Sequence, residues 1–133
     1  MAKVIRLEDF DKEMYEPPLR AKRGITSRTV GMPIKMTMSR VTVPPGAKNQ
    51  CHYHIQCDYA VHILKGRLKM FFGPLYQQQE ALVEEGDFVF IPKGEIHGLM
   101  NLSNTEAAEL VATFCGAGSF DKAQTIFVEP KDK

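Results

Sequence analysis

The stretch that decides the fold is GDFVFIPKGEIHGLMN, residues 86–101. It contains a run of apolar residues, Phe88 to Ile91, which predicts a short strand that is apolar on both faces. Pro92 ends that strand because proline cannot donate a hydrogen bond to the ladder, and Gly94 supplies the backbone freedom that a tight turn requires. His97 then enters the next strand soon after the reversal, so the stretch predicts two successive strands with a histidine opening the second.

Similar strand signals recur on both sides of this stretch. Short runs rich in β-branched and apolar residues end at glycine or proline, as at Pro44-Pro45-Gly46, Gly66 and Gly73-Pro74. Helix signals are poor, with short helical turns predicted only around residues 7–12 and 116–123. Closely spaced short strands indicate an all-β sandwich or barrel. The predicted strands lie within residues 34–43, 58–65, 67–72, 75–84, 88–91, 109–115 and 125–128.

Length and composition are those of one ordinary globular domain. The chain has 133 residues, of which 44% are hydrophobic and 25% charged. Its net charge of +1 favours neither nucleic acid nor a membrane surface as a partner, and no stretch resembles a transmembrane helix or a signal peptide. Cys51, Cys57 and Cys115 include no C-x-x-C pair and are expected to be reduced thiols. We therefore expect a cytoplasmic protein.

A second cluster of chemically versatile residues lies in residues 46–58. His52 and His54 are two positions apart. On a strand such residues point to the same face, about 7 Å apart along it, so that both imidazoles can bind one metal ion. Taken alone, an H-x-H pair more often lies exposed at a loop edge, and His97 alone is more typical of a hydrogen-bonded core histidine. The turn before His97 can nevertheless bring a third imidazole to the first two.

The two clusters together resemble the two signature motifs of the cupin superfamily. The first motif, G-x5-H-x-H-x(3,4)-E-x6-G, is matched at Gly46, His52, His54 and Gly66. The second motif, G-x5-P-x-G-x2-H-x3-N, is matched at Gly86, Pro92, Gly94, His97 and Asn101. The resemblance implies a single-domain jelly-roll β-barrel with one metal near its mouth, bound by His52, His54, His97 and a carboxylate.

The carboxylate is the point at which the sequence departs from the motif. Counting from His54 places the acidic residue at Asp58, whereas counting back from Gly66 places it at Tyr59. A β-bulge near Asp58 would reconcile the two counts, and we predict Asp58 as the fourth ligand. Tyr59 could instead point inward as a hydrogen-bonding neighbour of the ligands or as a rare ligand, and a site of three histidines alone is the third alternative.

The implied ligand set restricts the ion. Three imidazoles and one carboxylate oxygen suit a divalent transition metal, whereas Mg²⁺ and Ca²⁺ require more oxygen ligands. Iron, manganese, nickel, zinc and copper are all candidates. Four protein ligands on an octahedral ion leave positions for substrate or O2, which suits Lewis-acid or oxygen-activating chemistry.

Several residues near the motifs are candidates for a substrate pocket around the metal. Met38, Met70, Met100 and Phe90 lie in predicted strands or beside the motifs, where core packing is their more common role. Arg40 precedes the first motif and could bind a substrate carboxylate, although a solvated arginine is the simpler interpretation.

The resemblance allows two classes of function. One is a metal-dependent enzyme acting on a small oxygen-containing metabolite, of dioxygenase, decarboxylase, isomerase, cyclase or lyase type. The other is a non-catalytic module that binds a small ligand or a metal. The complete ligand set favours the enzyme, and the lack of an obvious second acid or base weakens it.

Three segments are predicted along the chain. Residues 1–33 form an N-terminal segment whose stretch around Val4-Ile5 could add a strand to a partner, residues 34–129 form the barrel, and residues 130–133 form a tail. Strands that are apolar on both faces suggest that a partner subunit covers the barrel, so we predict a homodimer that binds a small molecule. His62 is interpreted as a packed or interface histidine.

Overall fold

Two antiparallel sheets and three short helical turns make up the described residues, 2–13 and 17–129, of this computed structural model. The helical pieces are a 3₁₀ turn (Leu7–Asp9), α1 (Ser27–Val30) and α2 (Phe120–Ala123). In this part of the chain no helix has the length and apolar character needed to span a bilayer. The strands are β1 (Asp11–Glu13), β2 (Arg20–Ile25), β3 (Met36–Val43), β4 (His52–His54), β5 (Asp58–Lys65), β6 (Arg67–Phe72), β7 (Gln79–Glu84), β8 (Phe88–Ile91), β9 (His97–Asn101), β10 (Ala108–Cys115) and β11 (Thr125–Phe127).

The order of the strands gives a jelly-roll barrel. The larger sheet runs β1-β2-β3-β10-β5-β8, and the smaller sheet runs β11-β4-β9-β6-β7. Every pairing between these strands is antiparallel. The all-β jelly-roll fold predicted from the sequence is confirmed.

The hydrophobic core lies between the sheets because each strand turns alternate residues inward. In β3, Val41 and Val43 are buried, whereas Met38 between the inward positions is exposed. Ile63 of β5 and Leu68 of β6 meet these valines in one core cluster and are fully buried. Burying a side chain of this kind contributes about 1.5–3 kcal/mol to folding.

Most predicted strands are confirmed with small shifts at their ends, and the N-terminal segment differs most. The strand predicted within residues 75–84 occupies only Gln79–Glu84. β1 and β2 were not predicted. Both lie before residue 34 in the sequence and add two strands to the larger sheet. Around Val4 and Ile5 the described chain has no strand, so strand exchange with a partner stays a prediction. The tail at 130–133 lies outside the described residues.

Candidate metal centre

Three histidines meet on the inward face of the smaller sheet. His52 and His54 share the inward face of β4, and His52 lies directly opposite His97 of β9 in the ladder. One ring nitrogen of each histidine lies within 4.8 Å of the corresponding nitrogens of the other two. All three residues are buried. The structure therefore brings together the three imidazoles that the sequence motifs singled out.

A glycine allows β4 and β9 to approach closely at this point. A Cβ atom at Gly98 would lie 2.9 Å from Cys51 Sγ and 3.3 Å from Asn49 Oδ1, tighter than ordinary contacts. The backbone N–H of Leu99 donates to Asn49 Oδ1 at 2.8 Å. Gly98 and Asn49 thus fix the strand approach that places His52 opposite His97.

Hydrogen bonds orient all three imidazole rings. His52 Nδ1 donates to the carbonyl of Gln50 at 2.8 Å, and His97 Nδ1 donates to the carbonyl of Glu95 at 3.0 Å. His54 Nδ1 is paired with Thr125 Oγ1 of β11 at 2.8 Å. A partner on Nδ1 fixes the ring and, for His52 and His97, leaves Nε2 as the nitrogen with a lone pair.

Two of these Nε2 atoms test whether the site fits a metal. Nε2 of His54 and Nε2 of His97 are buried and have no hydrogen-bond partner among the described residues. Burial, followed by repulsion from His52, lowers the pKa of His54 to about 2 and that of His97 to about 3. Both rings are therefore neutral at physiological pH, which is the form that binds metal. Unpaired buried acceptors cost about 1–3 kcal/mol each, and a coordinated cation would satisfy them.

Asp58 does not join this group. Its Oδ1 accepts the backbone N–H of Lys93 at 3.0 Å, in the turn after β8. Its neighbour Tyr59 points inward instead, with its ring centroid 5.2 Å from that of His54 and 5.4 Å from that of His97. The expected bulge near Asp58 is absent from β5, whose register against β10 shifts at the far end, between Ile63 and Lys65. Asp58 and Tyr59 alternate across the strand, so Tyr59 takes the inward position.

This geometry predicts that Asp58→Ala keeps the metal. The variant is expected to bind as much Mn²⁺ per chain as the parent protein, with a stability loss of about 1 kcal/mol from the missing turn hydrogen bond. Asp87→Ala is the matched control because the Asp87 carboxylate likewise accepts a backbone N–H, that of Glu84 at 2.8 Å. Elemental analysis after dialysis decides the point. Loss of most of the metal in Asp58→Ala, and not in Asp87→Ala, would restore Asp58 as a ligand.

A small cavity adjoins the histidines. Its volume is about 20 Å³, close to the space that one water molecule needs. Met70, one of the predicted pocket residues, lines it from the core side. The other lining residues include Arg23, Asn49, Tyr59, Leu99 and Leu110.

Four predicted pocket residues do not line this cavity. Met38, Arg40 and Phe90 are exposed on the outer face of the larger sheet, and Arg40 forms an ion pair with Glu109 there. Met100 is half-buried and lies between the inward positions of Leu99 and Asn101 on β9. Each of these four residues is next to an inward-facing residue on its strand. Because side chains alternate along a strand, a shift of one residue places the side chain on the opposite face.

Two residues beside the site were missed by the sequence analysis. Arg23 of β2 is 4% exposed, lines the cavity, and donates through Nη1 to Ser39 Oγ at 3.0 Å. Its guanidinium also lies 5.5 Å from the centre of the Phe114 ring. Thr125 supports His54 from β11. Both depend on long-range strand pairing, for which the local sequence carries no signal.

Comparison with known proteins agrees with this fold and site. Residues 39–114 match the family model of the cupin domain. The chain is 38% identical over 79 residues to an uncharacterised protein of Aquifex aeolicus, covering 59% of this chain and 58% of that protein. It is 35% identical over 69 residues to germin-like protein subfamily 3 member 2 of Arabidopsis thaliana, covering 51% of this chain and 30% of that protein. The chain thus spans less than two thirds of these relatives.

Solved structures share the fold at low sequence identity. The oxalate decarboxylase of Lactobacillus farciminis, solved as a formate complex, superposes with a TM-score of 0.75 at 15% identity, over 92% of this chain and 35% of that one. KdgF from Halomonas sp. superposes with a TM-score of 0.71 at 16% identity, over 91% of this chain and 98% of that one. The family match covers more than half of the chain and includes all three clustered histidines. This chain therefore belongs to the cupin family.

Proposed function

We propose that this protein is a metal-dependent cupin enzyme that acts on a small oxygen-containing metabolite through one divalent transition metal. The observation that carries the proposal is the pair of buried Nε2 atoms, on His54 and His97, that lack partners among the described residues. Together with His52 they form a neutral, preoriented set of nitrogen ligands. Tyr59 and the surrounding apolar residues keep bulk water away from it.

Nitrogen ligands favour iron, manganese, nickel, zinc or copper over Mg²⁺ and Ca²⁺, which prefer oxygen. A metal held by three protein ligands keeps open positions and supplies Lewis-acid or oxygen-activating chemistry there. One protein of similar fold, the oxalate decarboxylase of Bacillus subtilis, has Mn(II) centres. Manganese is therefore the first ion to load.

Arg23 narrows the substrate class in this proposal. Its guanidinium is buried at the wall of the cavity that His52 and His97 also line. A planar guanidinium matches a carboxylate by two parallel hydrogen bonds, so a carboxylic acid is the substrate class that Arg23 would recognise. Solved structures of similar fold include an oxalate oxidase bound to glycolate. We therefore propose a small carboxylic acid as the substrate.

A non-catalytic binding module is the second candidate. The described residues that line the cavity include no aspartate or glutamate, so no carboxylate is placed there to move a proton. Two hydroxyl-bearing side chains lie beside the imidazoles: Tyr59, whose ring contacts those of His54 and His97, and Thr125, whose hydroxyl is paired with His54 Nδ1. Such a site could hold a small acid without transforming it.

The experiment that tests the proposal begins with protein loaded with Mn²⁺. Oxalate and glycolate are titrated against its EPR spectrum, and O2 uptake and CO2 release are then followed. Binding is expected to weaken at least about tenfold in Arg23→Met, with Arg23→Lys intermediate, because one charged hydrogen-bonding partner is lost. Arg40→Met is the matched control, since Arg40 lies on the outer face.

The outcomes separate the two candidates. Binding with turnover of either acid supports the enzyme, whereas binding without turnover of any small acid supports the module. Equal binding by Arg23→Met and Arg40→Met, at equal Mn²⁺ content, removes Arg23 from the substrate site. Failure of the parent protein to bind any of the five metals contradicts the enzyme and leaves the module that binds a small ligand.

A further inference from the structure

The three histidines lie behind a wall of the barrel that includes β11. His52, His54 and His97 are 1%, 2% and 3% exposed, and the cavity beside them holds only about 20 Å³. Nε2 of His54 and Nε2 of His97 are both buried. An ion therefore reaches these nitrogens only when part of the described wall moves aside.

β11 is a part of this wall that is held along one side. It is the edge strand of the smaller sheet, and within the described part of the chain it pairs only with β4. Its register places Thr125 opposite His54 and Phe127 opposite His52, so both side chains face the histidines. The Phe127 ring lies 5.4 Å from the ring of His52, and Phe127 is 38% exposed. Phe127 thus lies between His52 and solvent.

The junction between α2 and β11 has the features of a hinge. Ala123, the last residue of α2, is fully buried in a cluster with Cys57 and Phe114, and it anchors the chain there. The next residue, Gln124, has φ 55° and ψ 73°, a left-handed conformation that residues other than glycine seldom adopt. A rotation at Gln124 would relieve this conformation and swing the following strand while α2 stays in place.

A latch lies at the other end of the same segment. Glu129 Oε1 accepts the backbone N–H of Cys51 at 2.7 Å and the ammonium group of Lys48 at 3.1 Å. The carbonyl of Glu129 accepts Gln50 Nε2 at 2.9 Å. All three partners lie in the chain just before β4. We call residues 124–129, from the hinge to this latch, the strap.

The other side of the histidine cluster is held more firmly. β9 is paired on both of its edges, with β4 and with β6. The turn before β9 is tied to two further segments, since the N–H of Gly94 donates to the carbonyl of His54 and the N–H of Gly73 donates to the carbonyl of Ile96. Segments bonded along one edge open at a lower free energy than segments bonded along both. The strap is therefore the part of the wall that opens more readily.

We propose that the strap is a gate through which the metal ion reaches the three histidines. Opening would move Phe127 off His52 and at the same time withdraw the Thr125 hydroxyl from His54. The proposal rests on the proposed function because the ion is the species that passes, but the opening itself is measured without any ion.

Hydrogen exchange of the metal-free protein, followed by NMR, tests the opening. The amides of Ile55 and Val128 bond between the strap and the β4 segment, and those of Asn49 and Asn101 bond between that segment and β9. After correction for intrinsic rates, the first two are expected to exchange at least about tenfold faster, because the strap opens without β9. Equal protection of the two pairs would overturn the proposal.

A disulfide across the strap tests whether its opening limits the passage of the ion. Tyr53 and Ile126 lie directly opposite each other on β4 and β11, a separation that a disulfide spans. Once peptide mapping confirms the bond, oxidised Tyr53→Cys/Ile126→Cys protein is expected to release Mn²⁺ to EDTA at least about tenfold more slowly than the reduced form. Lys69→Cys/Leu82→Cys is the matched control, because these residues lie directly opposite on β6 and β7, and its release rate is expected not to change on oxidation.

A second pair of variants tests the gate without a cross-link. Phe127→Ala is expected to release Mn²⁺ several-fold faster than the parent protein. Ile126→Ala is its matched control, because the two neighbours are 38% and 39% exposed and only Phe127 faces the histidines. Equal release by these two variants would overturn the proposal.

The remaining outcomes are also distinguishable. Oxidation that leaves release from Tyr53→Cys/Ile126→Cys unchanged, or that slows both disulfide proteins equally, rejects the strap as the gate. A parent protein that binds no metal contradicts the proposed enzyme instead, and the exchange rates then decide whether the strap opens.

Discussion

His97→Ala protein is expected to bind Mn²⁺ at least about 100-fold more weakly than the parent, because one of three nitrogen ligands is lost. The change also removes a buried nitrogen that lacks a partner among the described residues. The metal-free variant should therefore lose little stability beyond the cost of the cavity that the smaller side chain leaves. Metal content by elemental analysis, after loading and dialysis, measures the effect. His54→Ala is expected to behave in the same way.

The chain provides its own control for this experiment. His62 is the one of the four histidines that lies outside the cluster, and it stacks on Phe88 on the outward side of the larger sheet. His62→Ala is expected to keep full metal content. Near-stoichiometric metal in His97→Ala, or equal losses in His97→Ala and His62→Ala, would contradict the site.

Metal-free protein is expected to lose stability steeply as the pH falls below about 6.5, the ordinary histidine pKa. Burial holds the pKa of His54 at about 2 and that of His97 at about 3 in the folded state. Between those values and the unfolded pKa, the unfolded chain binds protons that the folded chain does not. Each histidine therefore removes up to about 1.4 kcal/mol of unfolding free energy per pH unit of acidification.

Denaturant titrations between pH 7 and pH 5 measure this loss. Lower pH is avoided because Glu129 adds a loss of the same sign there: its pKa is below the usual value, since the hydrogen bonds from the Cys51 backbone and Lys48 outweigh burial. The double variant His54→Gln/His97→Gln should show a much shallower dependence on pH. An unfolding free energy that is constant from pH 7 to pH 5 in the metal-free parent would show that the two imidazoles are not held neutral.

The histidine group could be predicted from the sequence because its spacing is local. His52 and His54 lie on one strand, and the Pro92–Gly94 turn precedes His97 directly, so short-range geometry decides their direction. Only the cross-strand pairing of His52 with His97 is long-range. Gly98 permits this pairing, but the sequence alone does not show that the two strands approach each other there.

The pocket residues could not be predicted because hydrophobicity does not show which face of these strands turns inward. In Phe88–Ile91 all four residues are apolar, so hydrophobicity alone does not reveal that Ile91 is buried and Phe90 exposed. Which of Asp58 and Tyr59 faces the histidines could not be predicted either, since it depends on where the strand register shifts. Arg23 required knowledge that β2 pairs with β3, a contact that no local pattern indicates.

The hydrogen bond of Thr125 to His54 and the position of Arg23 at the cavity wall have a consequence for how such proteins diversify. Both residues lie outside residues 39–114, the segment that matches the family. The three histidines are thus encoded in the shared segment, and two of the side chains beside them are encoded in the flanks. Exchange of the flanking stretches between relatives is therefore expected to change which small molecule binds beside the three histidines, while the histidines themselves are kept.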